Sequence, residues 1–302
     1  MLSMAATRPA EALTERRRRL AGVETRTLTV AGEGPPVLLL HGYADSADTW
    51  RAILSRFAAA GRPATALDLR GFGTAEPLHP SRPLLPQWDE MVEAAVEELA
   101  EEHDEDAYVV GNSLGGALSL RAAQRDGAPV AGIVPIAPAG LHMAGWFSAI
   151  EREWLVRLLR LSPVPVPDRF VRPVVGRVYR TLAFADPGAV DPGVVDAFAG
   201  HLAGFAQSMG VLDTGRRLLP ELDDPFELER IDCPLLLVWG ERDRMVFTTG
   251  AERVLRTVDY SDIEVIPGCG HCPQVEVPDV LAALLLDFPG NLEYAPQQRN
   301  GD

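Results

Sequence analysis

The chain of 302 residues contains no lysine. All 28 of its Lys/Arg positions are arginine, against 43 aspartates and glutamates, and the formal net charge is −15. A GC-rich genome or a saline habitat would each produce this balance, which bears on solubility and not on reaction. It argues against nucleic acid or an anionic membrane as a partner, because both need a basic surface. Cysteine is scarce too, with three residues, an odd number. No run of 18 apolar residues occurs, which excludes a helical membrane span. Residues 1–20 carry Arg16, Arg17, Arg18 and Arg19 but lack the apolar core of a signal peptide. The expectation is a cytoplasmic protein with reduced thiols. No Gly-x-Gly-x-x-Gly and no phosphate-binding loop occurs, so no nucleotide cofactor is implied. What is present, 47% hydrophobic and 24% charged residues, suits a soluble globular enzyme.

Apolar runs alternate with amphipathic helical patterns. Strands are expected at 24–30, 37–40, 64–67, 108–110, 133–137, 235–239 and 263–266. Helices are expected at 50–60, 88–102, 114–125 and 279–287. This alternation predicts an α/β fold with a mostly parallel central sheet flanked by helices. Residues 1–24 read as a leader, with the arginine run a solvated helix end. Residues 25–138 and 226–302 read as the core. Residues 139–225 hold helical patterns and several prolines but no clear strand. At about 85 residues this insertion is too long for a plain connection, and it reads as a helical cap over the strand ends.

Chemistry concentrates where strands end, as open α/β sheets require. Val109 and Val110 lead into Gly111-Asn112-Ser113-Leu114-Gly115-Gly116, and a helix pattern follows at once. A serine on such a turn is forced into an exposed, strained position. Its neighbours two residues away must be small, because strand and helix crowd together. A serine hydroxyl needs a base, and the base needs an orienting group. His271 lies between glycine and cysteine just after the strand ending at Ile266. Asp243 follows the strand 235–238, with Glu241 as the alternative acid on the same loop. The order Ser113, Asp243, His271 puts one group after each of three strands. Donors for a developing oxyanion are the backbone N–H groups of Tyr43 and Leu114. His41 is read as a brace for the loops around the site.

Taken together, His41-Gly42-Tyr43, the segment Asp68 to Gly73, Gly111 to Gly116, Gly240 to Asp243 and Gly270-His271 resemble the α/β-hydrolase family. The likeness covers roughly 25–138 and 226–290. It implies a helical cap inserted after the sixth strand, a Ser113–Asp243–His271 triad, a two-amide oxyanion hole and no cofactor or metal. Ser113, where some relatives carry an aspartate nucleophile, favours acyl chemistry. The expected function is hydrolysis of small to medium apolar carboxylic esters through an acyl-enzyme. Two alternatives stay open: a carbon–carbon bond hydrolase of meta-cleavage type, suggested by Asn112, and a small-molecule receptor on the same fold. Against the first, Cys272 stands where those hydrolases usually carry tryptophan. Gly42, Met143, Trp146, Phe147 and Val246 are candidates for the substrate pocket, with ordinary packing the alternative for the apolar ones. Cys269-Gly270-His271-Cys272 matches a redox motif in letters, but it lacks the setting at the start of a helix that redox chemistry requires.

Overall fold

The structure is a computed structural model, and it describes residues 13–145, 168–188 and 204–288. One eight-stranded sheet organises the described residues, in the order β1-β2-β4-β3-β5-β6-β7-β8. The strands are β1 (Thr14–Leu20), β2 (Val23–Val30), β3 (Val37–Leu40), β4 (Ala64–Leu67), β5 (Ala107–Asn112), β6 (Val130–Ile136), β7 (Leu235–Gly240) and β8 (Ser261–Ile266). β1 and β2 pair antiparallel at one edge, and every pairing from β4 to β8 is parallel.

The central strands are buried on both faces, which their unbroken apolar sequences require. Side chains alternate between the faces. Leu38, Leu40 and Val109 pack on one side with α2 (Leu84–His103) and α3 (Leu114–Ala122). Val37, Leu39 and Val110 pack on the other with α1 (Arg51–Ala60). Leu281 and Leu285 of the C-terminal helix Pro278–Asp287 join them there. Trp88 and Trp50 are fully buried, one in each layer.

The expected leader is corrected in part, since Thr14–Leu20 forms an edge strand and not a helix end. The arginine run suits that place because its charges are matched across neighbours. Arg17 and Arg19 lie beside Glu24 of the paired strand, while Arg18 reaches Glu98 and Glu102 on α2.

Between β6 and β7 the described residues supply α4 (Asp168–Ala183), α5 (Phe205–Leu218) and a short 3-10 turn, Leu219–Leu222. Both Glu221 carboxylate oxygens accept hydrogen bonds at 2.8–2.9 Å from the amides of Leu84 and Leu85. An acid at a helix N-terminus satisfies orphan amides and complements the helix dipole, so the inserted segment is fastened to α2.

Candidate active site

The turn between β5 and α3 is as tight as the glycines imply. A Cβ added at Gly115 would lie 2.2 Å from the Leu40 carbonyl oxygen, and one at Gly111 2.1 Å from the Gly115 oxygen. Ser113 takes φ 55°, ψ −110°, a backbone conformation that costs a non-glycine residue about 1–3 kcal/mol. The surroundings hold it there. Its N–H donates to the Ile136 carbonyl at 2.8 Å, and its own carbonyl accepts from Ala117 and Ala139.

Asp243 and His271 meet as their positions after β7 and β8 suggested. His271 Nδ1 lies 2.7 Å from Asp243 Oδ2. The second oxygen, Oδ1, accepts from the amides of Met245 and Val246 at 2.7 and 3.1 Å. These bonds fix the carboxylate, which in turn fixes the ring. His271 Nε2 is buried and has no hydrogen-bond partner among the described residues. Glu241, the alternative acid, instead accepts from the Gly268 amide at 2.8 Å. Gly240 lets the two loops touch, since a Cβ there would lie 1.9 Å from the Gly270 oxygen.

Ser113 and His271 line one cavity of about 360 Å³, within the range of small-molecule sites. Tyr43, Leu114, Gly42, Met143 and Val246 line it too. Leu114 is the first residue of α3, so its N–H has no intrahelical acceptor. Met143 and Val246 form an isolated antiparallel bridge that joins the two in the cavity wall. Trp146 and Phe147 lie outside the described residues. His41 sits beneath the site with no exposure. Its Nε2 accepts from the Leu69 amide at 2.9 Å, so Nδ1 carries the proton and donates to the Gly42 carbonyl at 2.7 Å.

Sequence reasoning takes Asn112 only as a sign of carbon–carbon bond hydrolysis, and it misses Glu276, Asp45 and Tyr179. Asn112 donates to the His271 carbonyl at 2.9 Å and accepts from Gln274 at 3.1 Å, tying the serine turn to the histidine loop. Glu276 accepts from the amides of Gly270 and Ala185 at 2.9 and 2.8 Å. It couples that loop to the end of α4. Its place six residues after Gly270 was the only available hint. Asp45 and Tyr179 also line the cavity, and no motif marks either one. The three cysteines are free and buried. Burial pushes the Cys269 and Cys272 thiols up, the reverse of what a reactive thiolate needs.

A family model described as "Alpha/beta hydrolase family" matches residues 37–284. The chain belongs to the alpha/beta hydrolase family. Its curated relatives include a 2-hydroxy-6-oxo-6-(2'-aminophenyl)hexa-2,4-dienoic acid hydrolase of Metapseudomonas resinovorans, 29% identical over 92% of this chain and 91% of the relative. A pimeloyl-[acyl-carrier protein] methyl ester esterase of Nitrosomonas europaea is 24% identical, over 83% and 94% of the two chains. A solved serine hydrolase involved in carbazole degradation matches with a TM-score of 0.72 at 24% identity, covering 92% of this chain and 99% of the other. The hydrolase is therefore built on the family's mostly parallel sheet. No helix among its described residues is long and apolar enough to cross a membrane.

Proposed function

We propose that this hydrolase cleaves carboxylic esters of small to medium, mainly apolar substrates, with Ser113 as nucleophile. The observation that carries the reading is the His271 ring. It is held by Asp243 at 2.7 Å on Nδ1, with Nε2 unpartnered among the described residues, in the cavity that Ser113 also lines. His271 takes the Ser113 proton as the hydroxyl attacks the ester carbonyl. The amides of Tyr43 and Leu114 receive the oxyanion. His271 then protonates the departing alcohol, and water releases the acyl group by the reverse sequence. The mainly aliphatic lining supports an apolar acyl chain. Residues 139–225 act as the cap and supply much of that lining through α4 and α5.

A second reading is carbon–carbon bond hydrolysis of a ring-fission product. The Metapseudomonas relative favours it, as does Asn112 beside the serine. Turnover of p-nitrophenyl butyrate and of a 2-hydroxy-6-oxo-dienoate separates the two. Efficient ester cleavage with negligible dienoate cleavage is expected, and the opposite ranking replaces the first reading with the second. Ser113→Ala should lower ester turnover by at least about 10⁴-fold, and Asp243→Asn by about 10³–10⁴-fold. Near-wild-type turnover in either variant removes that residue from the mechanism.

A further inference from the structure

The cavity is uneven in its chemistry. Val211, Leu218 and Leu222 line it from α5 and the following turn, and the bridged pair Met143 and Val246 line it as well. These residues pack with the main core. A second part of the lining is polar and consists of Asp45, Tyr179 and Cys272. Cys272 belongs to a small cluster around Phe184, and Tyr179 packs against both that cluster and the main core. The Tyr179 hydroxyl lies 3.9 Å from Cys272 Sγ. The Asp45 charge acts on both groups.

Asp45 is only 8% exposed. Oδ1 accepts from the Ser46 amide at 2.8 Å, and the Thr49 hydroxyl adds a second bond. A carboxyl group offers about four acceptor positions, so Asp45, which lines the cavity, has acceptor positions beyond the two that these bonds use. Buried capacity of this kind is normally matched by a partner. Cys272 directly follows His271, the group that returns a proton to the leaving alkoxide. On the ester-hydrolase reading, a polar corner beside His271 would receive the alcohol half of an ester, leaving the aliphatic wall for the acyl half.

We infer that Asp45 is a specificity residue that accepts a hydrogen bond from a free hydroxyl on the alcohol half of the substrate. The preferred esters then combine an apolar acyl chain with a short hydroxylated alcohol. This inference rests on the ester-hydrolase reading above. Burial pushes the Asp45 carboxyl up to about 7, against the bonds from Ser46 and Thr49, with Asp48 and Asp68 adding to the rise. Both protonation states accept from a hydroxyl, whereas an ammonium group needs the ionised one. That contrast favours a neutral donor over a cation.

The test compares kcat/KM for glycerol monobutyrate, n-propyl butyrate and butyrylcholine at fixed pH. The wild type should prefer the glycerol ester to the propyl ester by about tenfold, as one well-placed hydrogen bond to an ionisable group supplies. Asp45→Leu should bring that ratio close to one, and the isosteric Asp45→Asn should lower it part of the way. Asp45→Asn keeps the test decisive if the leucine variant does not fold. Equal wild-type turnover of the two neutral esters, or a ratio unchanged in the variants, overturns the inference while ester hydrolysis stands. Preference for butyrylcholine over the glycerol ester also overturns it, in favour of a cation. If no ester turns over and a fluorophosphonate leaves Ser113 unlabelled, the underlying reading falls as well.

Discussion

Asp45 and Asp68 are both buried, and their surroundings drive them in opposite directions. Burial pushes Asp68 up. The Arg26 guanidinium bonds both its oxygens at 3.0 and 3.1 Å, and the Ala47 and Thr74 amides add two more bonds. These donors win, and Asp68 stays below the usual carboxylate range. Its contribution to stability is present above the unfolded value and is lost as pH falls through the acid range. Asp45 is bonded by Ser46 and Thr49 and lies near the like charges of Asp48 and Asp68, so burial wins and its carboxyl is pushed up to about 7. Between about pH 4 and 7 the folded state then binds more protons at Asp45 than the unfolded chain. Stability therefore falls as pH rises through that window and levels off above it. Asp45→Asn removes this slope. Its unfolding free energy in urea should gain on the wild type between pH 5 and pH 8, by a few kcal/mol at most. A difference independent of pH would contradict the assignment. The places of Ser113, Asp243 and His271 at strand ends are legible in the sequence because each directly follows a predicted strand. Asp45 is not, because an aspartate four residues after His41 looks like any turn residue until α4 brings Tyr179 over it.

At the scale of elements, the crossing of β3, β5 and α3 sets the position of Ser113. Strand and helix approach so closely that backbone replaces side chains in the contact. Gly115→Ala forces a methyl group to within 2.2 Å of the Leu40 carbonyl oxygen and should cost about 3 kcal/mol or more. Gly210→Ala is the matched control. Gly210 lies exposed within α5 with nothing near its added Cβ, and alanine there should stabilise by up to about 1 kcal/mol. Urea midpoints of the two variants test the contrast, and equal midpoints would contradict it. The interior strands were readable because burial on both faces demands unbroken apolar runs. β1 was not, because Arg16 to Arg19 hides any alternation. That strand is held by pairing with β2 and by carboxylates on β2 and α2, and neither is visible locally. The links from Asn112 and Glu276 to the histidine loop were hidden for the same reason, since they join residues that meet only in the fold.

Across the whole molecule, an acidic, lysine-free surface encloses a mainly apolar cavity at the carboxyl ends of a parallel sheet. Three strands deliver the serine, the acid and the imidazole to that end. The Ala183 carbonyl accepts from the His271 amide at 2.8 Å, and Glu276 receives the Ala185 amide. The helices over the cavity and the loop carrying the imidazole are thus joined, and the cavity's shape is tied to the position of His271. All of this chemistry rests on one hydroxyl being the nucleophile. The most direct measurement is reaction of the intact protein with a fluorophosphonate, followed by peptide mass spectrometry. We predict a single phosphonylated residue, Ser113, with labelling abolished in Ser113→Ala and slowed by Asp243→Asn. Unmodified Ser113 in the presence of continuing ester turnover, or stable modification of a different residue, would contradict the account.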